Sequence, residues 1–201
     1  MAYSVIDKAV NFFGNTILYT GTGASNAQTG VGFRPDFTWI KNRDAADENV
    51  ATDSVRGATK YIVPNDVDVQ TTNAETLKSF DSDGFTVGTF ETVNTSSEKY
   101  ASWNWKMGTT SGLSGGTITP SSYSFDTTSG QSVIAYTGTG STATVPHGLG
   151  ATPGLVICKR LDGADNWWTH VKSMTGPQYM VLNGTGAVAT ATSVWNDTLP
   201  T

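Results

Sequence analysis

The sequence predicts an all-β fold made of two tandem, related β-sandwich units of jelly-roll-like form, the second of them incomplete. Three observations lead there. Short runs rich in β-branched and aromatic residues alternate with Gly, Pro, Asn and Asp turn signals. No stretch keeps apolar residues at i, i+3, i+4 and i+7 for three turns, so long amphipathic helices are not expected. And one block occurs twice: YTGTGASNAQTGVGFRPDFTWIK, from Tyr19 to Lys41, returns as YTGTGSTATVPHGLGATPGLVICK, from Tyr136 to Lys159. Gly32 then matches Gly150, Pro35 matches Pro153 and Lys41 matches Lys159, at a repeat distance of about 117 residues. Farther along, Asn49 falls on Asn166, Thr52 on Thr169 and Asp53 on His170, and TKYIVPN falls on PQYMVLN.

Taken in order, residues 1–14 are an N-terminal arm, either one helical turn or an extended segment. The first unit spans 15–108. Residues 15–20 (NTILYT) form a strand stopped by Gly21, and 22–32 a loop of Gly, Asn, Ser and Thr. Pro35 then introduces the strand 36–41, where a Pro costs no ladder bond. Phe37, Trp39 and Lys41 fall on one face of it, Thr38 and Ile40 on the other. Residues 42–49 are a charged loop, 50–55 and 59–63 further strands, and Pro64-Asn65-Asp66 a turn. Residues 74–78 suit a helical turn, and Ser-Asp-Gly leads tightly into FTVGTF. In KYASWNWKM (99–107), Trp103 and Trp105 share a face, which is the reason to expect heavy burial on this strand. Residues 109–120 are a Gly/Ser/Thr linker. The second unit, 121–201, repeats the loop, the proline, the strand 154–159 and the charged loop 160–166, then stops short of any counterpart to SDGFTVGT and KYASWNWK. Three explanations stand side by side: a polypeptide that continues, strands supplied by a neighbouring subunit, or a shortened unit.

Composition narrows the function. Of 201 residues, 14% are charged and 37% hydrophobic, with a net charge of -5. That charge content is well below the usual quarter or so, so Thr, Ser, Asn and Gly must supply the polar surface. No Lys/Arg cluster exists to grip a phosphate backbone, so neither nucleic acid nor an anionic membrane is an expected partner. No apolar run approaches spanning length, and MAYSVIDKAVNFF lacks the layout of a signal peptide. Cys158, in the strand LVIC, is the one cysteine. It reads as a small buried hydrophobe.

The ordered series YTGTG, TGVGFRPDFTWIKNR, DSVRGATK, SDGFTVGT and YASWNWK, followed by YTGTG and VPHGLGATPGLVICKR, is similar to a module of tail-fibre-like virion proteins of marine tailed bacteriophages. The resemblance covers residues 1 to about 183 and, more loosely, the remainder. It implies a structural or adhesive β-rich virion protein, made in the host cytoplasm, without cofactor. It also implies assembly with other virion proteins as a homo-oligomer, a trimer first of all. The expected role is that of a tail fibre or tail-associated adhesin that attaches to a host-surface glycan. A head fibre or capsid decoration protein is the structural alternative, and a capsule-degrading glycan hydrolase the enzymatic one.

Candidate residues follow from chemistry. No catalytic set is expected: His147 and His170 lie outside any Ser-His-Asp, GxSxG or HExxH pattern. Glycoside hydrolysis needs two carboxyls facing one bond, whereas Asp44, Asp47, Glu48, Asp53, Asp162 and Asp165 sit mostly in polar loops. Asp81-Ser82-Asp83-Gly84 resembles half of a calcium loop without its later ligands, so no metal site is expected. Sugar recognition uses aromatic faces with Asp/Asn partners, and Asp162, Asp165, Asn166, Trp167 and Trp168 supply both. The first unit has Val50 and Ala51 where this one has the two tryptophans. So large a change in volume is foreign to a core; neighbouring residues of a strand point to opposite faces, so one Trp is expected in the core and the other at a subunit interface, at a receptor contact or in ordinary partial burial. Lys41, Arg43, Lys159 and Arg160, at repeated strand ends, are anion-contact candidates, or charges that discourage edge pairing.

Overall fold

A computed structural model describes residues 14–201; the expected arm, apart from Gly14, lies outside the described residues. The fold is all-β. The chain runs β1 (Gly14–Thr20), β2 (Asn26–Gln28), β3 (Phe37–Asn42), β4 (Val50–Asp53), β5 (Lys60–Ile62), β6 (Thr71–Thr72), β7 (Leu77–Asp81), β8 (Gly84–Val87), the single turn α1 (Glu91–Asn94) and β9 (Lys99–Trp105). It continues with β10 (Ser122–Asp126), β11 (Gln131–Ala135), β12 (Leu155–Lys159), β13 (Trp167–Val171), β14 (Gln178–Val181), β15 (Ala189–Thr190) and the turn α2 (Thr192–Trp195). Every named strand pair is antiparallel.

The first unit is a sandwich. A six-stranded sheet, β1-β9-β3-β4-β5-β6, packs over a three-stranded sheet, β2-β8-β7. Between them lie Tyr19, Ile40, Val50, Leu77, Phe85, Val87, Val93 and Tyr100. Tyr19 and Tyr100 stack at 5.1 Å, and the Tyr19 hydroxyl donates to the Val93 carbonyl at 2.7 Å. Burying about eight such side chains, at roughly 1.5–3 kcal/mol each, is the main stabilising term of this half.

Two short elements depart from the expected layout. Residues 26–28 form β2 inside the expected loop, paired with β8. Residues 74–78 are not a helical turn: a β-turn leads into β7, whose Leu77 is fully buried.

The inner and outer faces of β9 are the reverse of what its tryptophans suggest. Tyr100, Ser102 and Asn104 are buried, and Trp103 is 39% exposed. The polar face goes inward because its groups satisfy one another. The Asn104 amide donates to the Asn15 carbonyl (3.2 Å) and the Ser102 hydroxyl (3.0 Å) and accepts from the Thr38 hydroxyl (3.1 Å). A hydrogen-bonded polar group is tolerated inside.

The second unit repeats half of this plan. A four-stranded sheet, β12-β13-β14-β15, reproduces β3-β4-β5-β6, while β10 and β11 form a separate hairpin. The registers are the same throughout. Phe37↔Asp53 becomes Leu155↔Val171, Ala51↔Ile62 becomes Thr169↔Met180 and Lys60↔Thr72 becomes Gln178↔Thr190, a shift of 118 on both partners (155 − 37, 171 − 53). This corrects the sequence alignment around β13. Thr52 corresponds to His170, not Thr169, and Trp167 and Trp168 stand at the places of Asn49 and Val50.

Residues 109–120 are held against the hairpin and the loop after β11. Thr109 and Phe125 exchange backbone bonds at 3.0 Å, Ile118 donates to the Thr144 carbonyl at 3.1 Å, and Ile118 is buried.

Candidate functional site

The β3 and β9 side chains that avoid the core converge on the outer face of the six-stranded sheet. Trp39 lies directly opposite Trp103, and Phe37 opposite Trp105. Phe37 and Trp105 meet edge-to-face at 5.3 Å. Leu18, opposite Ala101 on the same face of β1, is 64% exposed. The Trp39 indole N–H donates to Asn49 Oδ1 at 2.9 Å, and Asn65 Oδ1 in turn accepts from the Asn49 backbone and side-chain amides at 2.8 and 3.0 Å. That bond fixes the N–H edge of the Trp39 indole, and Trp103, Leu18 and the Asn49–Asn65 amides lend the same region an aromatic, apolar and amide surface. Such a surface suits the apolar face of a sugar ring, with amides for its hydroxyls. Sequence reasoning placed Trp39 and Trp103 on strands but did not single them out. The available signal was the Thr38, Ser102 and Asn104 set, which can satisfy itself and so release the tryptophan face to solvent.

The residues that sequence analysis did single out are arranged differently. Trp167 is 4% exposed and packs with Ala51 and Ile62 of the first unit, flanked by Phe37 and Leu161. Its indole N–H donates to the Val63 and Asp66 carbonyls, both at 3.0 Å. The interface it forms is internal, between the two halves of the chain, and its burial removes it from any receptor-facing surface. Trp168 is half-buried; it meets Tyr179 edge-to-face at 5.0 Å and donates to Asp165 Oδ1 at 3.2 Å. Asn166 accepts from the Asn183 amide at 3.2 Å. Asp162 is exposed and paired with Arg160 at 2.8 Å, which holds its carboxyl below the usual range.

The repeated lysines clamp loops. Lys41 donates to the carbonyls of Ala45 (3.3 Å) and Asp47 (2.7 Å). Lys159 donates to those of Arg160 (2.9 Å) and Val67 (3.0 Å), the latter across the unit boundary. Their ammonium groups are directed at backbone oxygens, a better account of their recurrence than anion contact. Arg43 is exposed on the same loop.

The carboxylates divide between structural partners and one cluster. Asp53 pairs with Arg56 in a buried bridge of 2.5 Å, and Asp83 accepts from the Gly30 and Gly32 amides at 3.0 and 2.6 Å. The resemblance of residues 81–84 to a calcium loop thus reduces to a hairpin turn. Glu48, Asp66 and Asp68 hold carboxylate oxygens within 4.8 Å of one another, close enough to share a cation. Partial burial, and after it the charges of Asp66 and Asp68, push the Glu48 carboxyl above its ordinary value. Glu48 and Asp68 are exposed and Asp66 is half-buried. Two cavities elsewhere on the molecule are lined by other residues. One of these, of about 160 Å³, is lined by Pro153, Val156, His170, Lys172, Leu199 and Pro200 among others. His170 is 2% exposed and stacks on Trp195 at 5.8 Å. Neither of its ring nitrogens has a hydrogen-bond partner among the described residues.

A family model described as a domain of unknown function, DUF7483, matches residues 8–201. The chain belongs to this family. The match runs through both units, so the duplicated sheet and the boundary closed by Trp167 fall within one family domain. No curated protein and no solved structure matches the chain. Among the described residues, no helix is long and apolar enough to cross a membrane.

Proposed function

We propose that the protein is a non-enzymatic virion component of a tailed phage, a tail fibre or tail-associated adhesin, and that it meets a host-surface glycan through Trp39 and Trp103. The observation that carries this reading is the cross-strand tryptophan pair on the outer face of the largest sheet, with Trp39 half-buried next to the part that Trp167 covers and Trp103 39% exposed on the side of the exposed Leu18. Large rigid aromatic faces lose little conformational entropy on binding and dominate contact energies. The rigid sandwich core behind them, with Tyr100, Ser102 and Asn104 inside, fixes their spacing in advance. A single such platform binds weakly, and a homotrimeric fibre multiplies it by avidity. The sequence resemblance to tail-fibre-like proteins supplies the virion context.

The test is binding of the purified chain to an array of bacterial surface polysaccharides, alongside Trp103→Ala. Wild type binds at least one polysaccharide. Trp103→Ala loses about tenfold or more in affinity while its melting temperature stays near that of wild type. Equal binding by the variant, or none by wild type, contradicts the reading.

A further inference from the structure

We propose that the free edge of β12 is an acceptor site for one further strand, and that this strand, the donor, carries the side-chain pattern of β9. This inference does not rest on the glycan reading. In the first unit β9 sits between β1 and β3. The second unit repeats β3 to β6 as β12 to β15 with every register kept, and it repeats the sequence at the end of β1 just after β11. Yet among the described residues no strand pairs with the other edge of β12.

Three local observations mark the open position. First, a Cβ on Gly21 would lie 2.1 Å from the Thr95 carbonyl oxygen, on the segment leading into β9, whereas one on the matching Gly138 meets nothing within 4 Å. Second, Leu155 and Ile157 are 56% and 41% exposed. They stand where Phe37 and Trp39 lie beside Trp105 and Trp103. Third, Tyr136, the counterpart of Tyr19, has its hydroxyl 3.0 Å from Cys158 Sγ, whereas Tyr19 stacks on Tyr100 of the intervening strand.

An edge of this kind, apolar and with unpaired backbone groups, is a template for strand addition. The registers state what fits. The donor runs antiparallel, with aromatic residues opposite Leu155 and Ile157 and small ones opposite Cys158 and Lys159, as Trp105, Trp103, Ser102 and Ala101 stand to β3. An acid just ahead of the strand meets Arg160. Arg160 occupies the place of Asn42, whose amide donates to Glu98. The donor backbone supplies the hydrogen bonds and its alternate side chains the selectivity.

The experiment uses the full chain and a fluorescent peptide with the sequence of residues 97–107, SEKYASWNWKM, read by anisotropy and by amide hydrogen exchange. We expect saturable one-to-one binding and slowed exchange in residues 155–159. A scrambled peptide gives neither. Ile157→Lys, at an exposed position, weakens binding by about tenfold or more with an unchanged melting temperature. The proposal is overturned by absence of protection at saturating peptide, by equal binding of the scrambled peptide, or by amides of 155–159 that are all protected in the free monomer. It is equally overturned if light scattering shows a dimer that Ile157→Lys dissociates, since the occupant is then a second copy of this chain.

Discussion

Asn104 shows how single residues decide which way this sheet faces. Its amide is 1% exposed, yet each of its bonds goes to a neighbour that is itself inside or on the next strand. The satisfied amide stabilises by lying in the core, and the bulky tryptophans are thereby left outside. His170 is the opposite case, a buried ring with no hydrogen-bond partner among the described residues. Burial holds its pKa below the ordinary histidine value. The sign of the linkage follows. Above a pH of about 6.5 the ring is neutral in both states and has no effect. As the pH falls below that, the unfolded chain takes up a proton that the native chain refuses, so stability declines with falling pH. Melting temperatures measured from pH 8 down to pH 5 should fall more steeply for wild type than for His170→Gln. Parallel curves would show that the ring is not held neutral.

Among the elements, the strands with clean alternation and a turn signal at each end were legible from the sequence. In β3, Thr38 and Ile40 are buried and Phe37 and Trp39 are not, as the period of two requires. β2 escaped because three residues carry no period, and β7 because its first residue, Leu77, follows a turn with helix-compatible composition. The alignment slipped by one at β13 because Asn49 and Thr52 happen to match Asn166 and Thr169, whereas the hydrogen-bond registers put the shift at 118 on both strands. The Gly of YTGTG has a physical reason only where the chain leading into β9 crosses it. Gly21→Ala should therefore destabilise by about 2 kcal/mol or more through overpacking against Thr95. Gly138→Ala, facing open space, should stay within about 0.5 kcal/mol. Urea denaturation of the two variants reads the difference; equal effects would mean that the motif serves the turn alone.

At the scale of the whole molecule, the second unit docks onto the first through Trp167, which was legible as a residue of unusual size but not as an internal seam. Its partners Val63 and Asp66 lie roughly 100 residues earlier in the chain, a distance no local pattern encodes. The two halves are also joined by the backbone amide of Asp165 donating to the Val67 carbonyl (3.0 Å), that of Gln70 to the Leu161 carbonyl (2.9 Å) and the Ser122 hydroxyl to the Val55 carbonyl (3.1 Å). Trp167→Ala should cost about 3–5 kcal/mol and split thermal unfolding into two transitions, the first unit melting last. A single transition of unchanged midpoint would show that the halves are not coupled through this side chain. The docked arrangement also leaves Trp39 and Trp103 on the outer face, where the proposed glycan contact is made. Its most direct measurement is saturation-transfer NMR on the chain mixed with a polysaccharide that it binds. The indole protons are irradiated and the sugar C–H signals observed. The account predicts transfer to one face of the sugar ring in wild type and its loss in Trp103→Ala. Transfer of equal strength in the variant would contradict it.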